Sequence, residues 1–184
     1  MKIKNRRWTC RSFTTNPIKG NILEEVVFYA SKAPVGMNLY NKFLITIVDS
    51  ENVGYLRKHL MEYFHDEDVT YNATSMLIIN VNEDTYKIHK STCDKSAGAI
   101  AVILESILIK RRLGVAISES IYEFYEKYKV NNNSKGGVIL KNKGYIPILA
   151  IFVGYPKNRK NKASHHPIKF SFYSYHKDDD DRFK

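Results

Sequence analysis

The fold is decided by the stretch AGAIAVILESILIKRRLG, which runs from Ala97 to Gly114 and is the most apolar segment of the chain. Glu105 is the only charged residue between Ala97 and Ile109, while Asp94 precedes this run and three bases follow it. An acid near the start of a helix and bases near its end interact favourably with the helix dipole. A helix that is apolar almost all round must be covered, so we predict a central helix buried in the core or against another subunit.

Helical and strand-like segments alternate on both sides of this helix. Apolar spacing predicts further helices at Ile22 to Ser31, at Val53 to Phe64 after an Asp49-Ser50 cap, and at Ile121 to Tyr128. It predicts strands at Phe43 to Val48, Ser75 to Val81, Val115 to Ile117 and Ile146 to Val153, with an edge strand at Ile168 to Tyr173. This order favours an α+β sandwich over an open parallel sheet.

The charge of the chain points to an anionic partner. Lysine and arginine total 29 against 19 acids, which gives a net charge of +10. Such a field attracts nucleic acid, acidic membranes or phosphorylated cofactors, although a lysine-rich genome would give the same excess. There is no glycine-rich dinucleotide fingerprint and no P-loop.

The cysteines and the apolar runs indicate the compartment of the protein and argue against a metal site or a membrane segment. Cys10 and Cys93 form no CxxC pair, which argues against a disulfide framework or a zinc site and fits a reducing compartment. No apolar run approaches a membrane span, and the basic start lacks the apolar core of a signal peptide. We expect a cytoplasmic protein with no metal site and no membrane partner.

The basic opening is the first candidate site. Arg7, Thr9 and Arg11 are spaced two apart, so an extended segment places them on one face. Guanidinium and hydroxyl groups on one face can hold phosphate oxygens. For an isolated run, a solvated charge cluster would be the usual interpretation.

Four motifs in order resemble the nitroreductase family of FMN-dependent flavoproteins, over about Arg6 to Phe172. They are the opening Arg7 to Phe13, Ala33-Pro34 with Asn38, Gly98 with Arg112-Leu113-Gly114, and Gly154-Tyr155-Pro156 with the basic loop that follows. The chain departs from the family at Trp8 and His165, where basic residues are usual. It also has Tyr40-Asn41-Lys42 in place of the usual Gln-Pro-Trp.

The resemblance implies a set of cofactor-binding residues. Asn38 would contact the flavin ring, and the backbone of Ile117 and Ser118 would contact the ring near N5. The phosphate and ribityl groups would be bound by Arg7, Trp8, Thr9, Arg11, Lys162 and His165. Arg11 is also the candidate cation for the pyrimidine edge of the ring. No side chain is needed as a catalytic nucleophile, because in this family the flavin carries the chemistry.

The resemblance also implies an architecture and an activity. The architecture is a three-layer α/β/α sandwich with a mixed, mainly antiparallel sheet and a long dimer-interface helix. It occupies residues 1–175 as one FMN-binding domain, before a charged, flexible tail at 176–184. The implied activity moves hydride from NADH or NADPH through FMN to a nitroaromatic, a quinone or a similar small acceptor. The implied assembly is a homodimer with FMN at the interface.

Two other functions remain open on the sequence. The altered motif positions are compatible with a protein that binds or sequesters FMN without turnover. The positive charge is compatible with nucleic-acid binding, to which Trp8, Tyr40 and the stretch from Arg159 to Lys162 could contribute. We find no recognised nucleic-acid motif and therefore expect no nucleic-acid partner.

Overall fold

The structure is a computed structural model, and it describes residues 9–19, 21–128 and 144–157. Its helices are α1 (Ile22–Ala30), α2 (Ser50–Tyr63), α3 (Glu83–Lys110) and α4 (Ser120–Tyr128). Its strands are β1 (Phe43–Val48), β2 (Ser75–Asn82), β3 (Gly114–Ser118) and β4 (Tyr145–Gly154). The edge strand predicted at Ile168 to Tyr173 and the tail at 176–184 lie outside the described residues.

The four strands form one sheet in the order β1-β2-β4-β3, and each described pairing is antiparallel. Alternate residues of β2 point to opposite faces. Leu77 and Ile79 pack with α1 and α3, whereas Met76 and Ile78 pack with α2 and α4. Helices therefore cover both faces, and the predicted α+β sandwich is confirmed as a three-layer α/β/α arrangement.

Strand β4 contains a bulge next to the end of β3. Ile79 of β2 pairs with Leu149 and Asn80 pairs with Pro147, so Ile148 is the extra residue. Pro147 lies beyond the part of β4 that pairs with β3, where its missing N–H breaks no bond to that strand.

Helix α3 is longer than the apolar run that predicts it. It begins at Glu83 rather than near Asp94, with the side chain of Asn82 accepting from the N–H of Thr85. His89 has φ −124° and ψ 38°, so the helix kinks there. Most exposed residues of the first turns are charged, among them Asp84, Lys87 and Lys90, which is why the apolar pattern marks only the second part.

One side of α3 is left open by the described residues. Leu104 and Leu108 are fully buried against the sheet, but Val102 is 45% exposed and a Cβ on Gly98 would meet no atom within 4 Å. The residues that the structure describes therefore do not cover the helix all round. Within the described part of the chain, no helix combines the length and apolar character needed to cross a membrane.

Candidate functional site

The N-terminal segment lies along the outer edge of β3 and the end of β4. The N–H of Cys10 donates to the carbonyl of Val115 at 2.8 Å, and the N–H of Thr14 donates to the carbonyl of Tyr155 at 2.7 Å. The N–H of Lys157 donates to the carbonyl of Ser12 at 3.0 Å. The basic opening and the start of the basic loop after Pro156 therefore run side by side, although they lie at opposite ends of the chain.

Two glycines form the surface on which this segment rests. Gly114 and Gly154 are partners in the β3–β4 ladder. A Cβ on Gly114 would lie 2.6 Å from Sγ of Cys10, and a Cβ on Gly154 would lie 2.9 Å from Cδ1 of Phe13. Only glycine permits so close an approach of the two backbones.

The segment has both buried and exposed side chains. Cys10 and Phe13 are buried against the glycines, while Thr9, Arg11 and Ser12 are exposed. The exposure of Thr9 and Arg11 agrees with the shared face that their spacing predicts. Arg7 and Trp8 lie outside the described residues. Burial raises the pKa of the Cys10 thiol, which also donates to the carbonyl of Ser12 at 3.2 Å, so this thiol is not activated.

The end of β3 presents backbone groups at the same edge. The carbonyl of Val115 points outward to Cys10, and by the alternation of an antiparallel ladder the N–H and C=O of Ile117 point the same way. The hydroxyl of Ser118 accepts from the N–H of Ser120 at 3.1 Å and donates to the hydroxyl of Ser120 at 2.9 Å. The side chain of Ser118 therefore contacts the first turn of α4, and its backbone groups point the other way, toward Ala150 of β4.

Asn38 lies in a different part of the chain. It ends a short 3₁₀ turn, Gly36–Asn38, in which Met37 and Asn38 have positive φ values of 54° and 58°. The N–H of Gly36 donates to Oγ of Ser96 at 3.0 Å, so the turn rests on α3. No hydrogen bond among the described residues joins Asn38 to the N-terminal segment. Lys162 and His165 lie outside the described ranges.

Large apolar side chains on this turn, on α1 and on α3 are exposed. Oγ1 of Thr92 on α3 contacts Sδ of Met37 at 3.9 Å. The large apolar side chains that are exposed here or on nearby elements are Phe28, Tyr29, Met37, Tyr40, Ile88 and Val102. We call this set the apolar surface.

A cavity of about 230 Å³ lies between α3, the bulge of β4 and the start of α4. Its lining includes Tyr86, Lys90, Asp94, Glu119, Tyr122 and Ile148. Glu119 directly follows Ser118, so the cavity adjoins the end of β3. The sequence patterns do not identify it, and the one available signal is the spacing of four between Tyr86, Lys90 and Asp94, which places polar groups on one side of a helix.

These three side chains form a closed hydrogen-bonded cluster across the kink at His89. Nζ of Lys90 donates to Oη of Tyr86 at 2.8 Å and to Oδ2 of Asp94 at 2.9 Å, and Oη of Tyr86 donates to Oδ1 of Asp94 at 3.0 Å. Burial raises the pKa of Tyr86 to about 12, and the hydrogen bond to Asp94 raises the pKa of Lys90. Tyr86 is therefore neutral and Lys90 charged at pH 7.

The described residues suit a phosphorylated ring better than a metal ion. Arg11 and Thr9 offer charged and neutral donors to phosphate, and the backbone near Ile117 offers a donor and an acceptor to a ring edge. In the described ranges, no three or more His, Cys, Asp or Glu side chains are grouped to hold a metal.

Solved structures share this architecture over nearly the whole chain. A nitroreductase with bound FMN from Bacteroides fragilis aligns with a TM-score of 0.71 over 95% of this chain and 96% of that chain, at 12% identity. One with bound FMN from Desulfitobacterium hafniense gives a TM-score of 0.74 over 91% and 94%, at 14% identity. This chain has the nitroreductase fold.

Another example of the nitroreductase fold is an FMN and NADPH-dependent nitroreductase from Sphigopyxis sp. strain HMH. It aligns with a TM-score of 0.70 over 91% of this chain and 96% of that chain, at 13% identity. No protein-family model and no curated protein sequence matches the chain. The likeness is therefore one of fold, and it confirms the predicted nitroreductase-like architecture.

Proposed function

We propose that this protein is an FMN-dependent oxidoreductase of the nitroreductase type. The observation that carries the proposal is the pairing of Ser12 with Lys157, which brings the basic opening beside the start of the second basic segment. Two chain segments that each carry bases or hydroxyls, held together at the free edge of a sheet, make a suitable phosphate site. The fold shared with FMN-bound nitroreductases supports the same cofactor.

The binding roles follow from the positions of the donors. Arg11 and Thr9 hold the phosphate and ribityl groups, together with Arg7, Trp8, Lys162 and His165 of the adjoining segments. The outward N–H and C=O of Ile117 meet the ring edge, with Ser118 next to it in the chain. Arg11 also favours added negative charge on the ring. When bound, FMN supplies hydride transfer from NADH or NADPH to a small acceptor such as a nitroaromatic or a quinone.

We further propose that two copies of the chain form the complete site. The apolar surface is not covered by the described residues of one copy, and Asn38 directly follows Met37 of that surface. A second copy packed on α3 would bury this surface and would present its Asn38 to a ring that the first copy holds. We place the whole flavin-binding domain in residues 1–175, with 176–184 as a tail.

The first experiment is the absorption spectrum of the purified protein, followed by steady-state assays with NADH, NADPH and a nitroaromatic or quinone. We expect a yellow protein with flavin bands that turns over at least one acceptor. Bound FMN without turnover would favour the sequestering protein instead. A colourless protein that takes up no added FMN, and binds nucleic acid with a steep salt dependence, would contradict the proposal.

A further inference from the structure

Two consecutive residues of the turn Gly36–Asn38 have left-handed backbone conformations. Met37 has φ 54° and Asn38 has φ 58°. Asparagine tolerates this region, but methionine adopts it rarely. Strain of this kind persists only where contacts from other elements impose it, and it occurs most often at functional sites.

Helix α3 supplies such contacts through Ser96 and Thr92. The N–H of Gly36 donates to Oγ of Ser96 at 3.0 Å, and Oγ of Ser96 donates to the carbonyl of Thr92 at 2.7 Å. Because the hydroxyl hydrogen is bonded to the helix, a lone pair of the oxygen is left for the turn. A Cβ on Gly36 would lie 2.8 Å from Cγ2 of Thr92, so the backbone of the turn lies directly on the helix.

The bond to Ser96 is the stronger of two polar contacts that hold the turn. Ser96 is only 3% exposed, so little water competes for its hydroxyl. The second contact joins Oγ1 of Thr92 to Sδ of Met37 at 3.9 Å, and a thioether sulfur is a weak acceptor. Among the described residues, one buried hydroxyl therefore fixes the start of the turn.

The side chain that follows the strained methionine is open to a ligand. Asn38 is exposed, and its amide makes no hydrogen bond with any residue that the structure describes. An amide can donate and accept at the same time. The turn thus presents an unpaired amide from a fixed and strained backbone.

We propose that Ser96 is a positioning residue for the flavin, whose hydroxyl fixes the turn so that the amide of Asn38 is preorganised to meet the ring. The inference rests on the proposed function, in which Asn38 makes the ring contact. Ser96 acts through Gly36 and the turn, so its effect on FMN binding passes through Asn38. Removing the hydroxyl therefore weakens binding by no more than removing the amide does.

A double-mutant cycle on the full-length protein tests this dependence, with the Kd for FMN measured by fluorescence titration. Asn38→Ala should raise the Kd by about fivefold, which corresponds to one neutral hydrogen bond, and Ser96→Ala should raise it by about three- to fivefold. The double variant should also stay near about fivefold, whereas independent effects would multiply to about 15-fold or more.

Ser106→Ala is the matched control on the same helix. Oγ of Ser106 donates to the carbonyl of Val102 at 2.8 Å, as Ser96 does to Thr92, but it accepts no bond from the turn. This variant should change the Kd for FMN by less than about twofold.

Hydrogen exchange of the Gly36 amide gives a second measurement that needs no flavin. Ser96→Ala removes the acceptor of this N–H, so its exchange in the protein without FMN should be faster by about fivefold or more. Ser106→Ala should leave the exchange rate unchanged.

Multiplying effects in the double variant would overturn the inference, as would a Ser96→Ala protein whose FMN affinity or Gly36 exchange equals that of the wild type. If the wild type is yellow and active, either result leaves the proposed function standing. A wild type that takes up no FMN overturns the proposed function and, with it, the role of Ser96.

Discussion

Gly114 and Gly154 lie directly opposite each other in the β3–β4 ladder, and the side chains of Cys10 and Phe13 rest on them. The two glycines come from motifs far apart in the sequence. Their shared role is to let the N-terminal segment approach the sheet closely enough for the backbone of Ser12 to meet Lys157. The position of Arg11 therefore depends on the absence of a side chain at both Gly114 and Gly154.

Gly114→Ala should destabilise the protein and weaken FMN binding, because the new Cβ would lie 2.6 Å from Sγ of Cys10. Overpacking of this kind costs about 1–3 kcal/mol in the free energy of unfolding, which urea unfolding measures. The control is Gly54→Ala, at an exposed helical position where a Cβ meets nothing within 4 Å. That change should be neutral or stabilising by up to about 1 kcal/mol. Equal stability of the two variants would show that the glycine surface is unimportant.

Arg11→Met should raise the Kd for FMN by about tenfold or more, because a hydrogen bond from a charged donor contributes about 1.5–3 kcal/mol. The measurement is a titration of FMN fluorescence at fixed ionic strength. Lys58→Met, which removes an exposed charge from α2, serves as the control and should change the Kd by less than about twofold. The assignment of Arg11 fails if both variants bind FMN equally well.

Gly98→Glu should yield a monomer by sedimentation, because its Cβ faces open space in one chain and a second copy would exclude the carboxylate. The fold should survive, as judged by an unchanged circular dichroism spectrum. Gly54→Glu is the matched control, since it places the same side chain at an open helical glycine on α2. A Gly98→Glu protein that sediments as a dimer would rule out this face of α3 as the interface.

Tyr86→Phe should lower the free energy of unfolding by about 1 kcal/mol, since it removes the hydroxyl that links Lys90 and Asp94 across the kink. Tyr122→Phe, in the facing ring, should stay within about 0.5 kcal/mol of the wild type.

The pH dependence of stability gives a second measure of the same cluster. Burial raises the pKa of Tyr86 from 10.0 to about 12 in the folded protein. A raised folded pKa contributes stability that is complete below pH 10 and is lost as the pH rises through 12. Wild-type stability should therefore fall in that interval, and Tyr86→Phe should fall less steeply. Parallel curves for the two proteins would contradict the shift.

The sequence predicts well what depends on local periodicity. Strands β1 and β2 are buried apolar runs, and Asp49 caps α2 by accepting from the N–H groups of Glu51 and Asn52. Because that cap is in place, α2 begins at Ser50 rather than at Val53. The apolar pattern does not predict the first turns of α3, because most of their residues are polar. The helix begins there because Asn82 caps it and because Thr85 and Tyr86 are buried.

The candidate site is likewise predictable only where it depends on local sequence. Exposure of Thr9 and Arg11 follows from the two-residue repeat of an extended segment, so the sequence predicts it. The cavity does not follow from any local pattern, because it forms where Ile148 of the bulge lies near Tyr86 and Lys90 of α3. Contacts between elements distant in sequence create it, and only the assembled fold brings Glu119 to its rim.

The pairing of Cys10 with Val115 also protects the protein from self-association through its sheet. Strand β3 is last in the order of the four described strands, so its outer carbonyl and N–H groups are a place where another chain could add a strand. The N-terminal segment occupies that place at Val115. A protein trimmed up to Thr14 would expose it, and solubility would then be lost together with the cofactor.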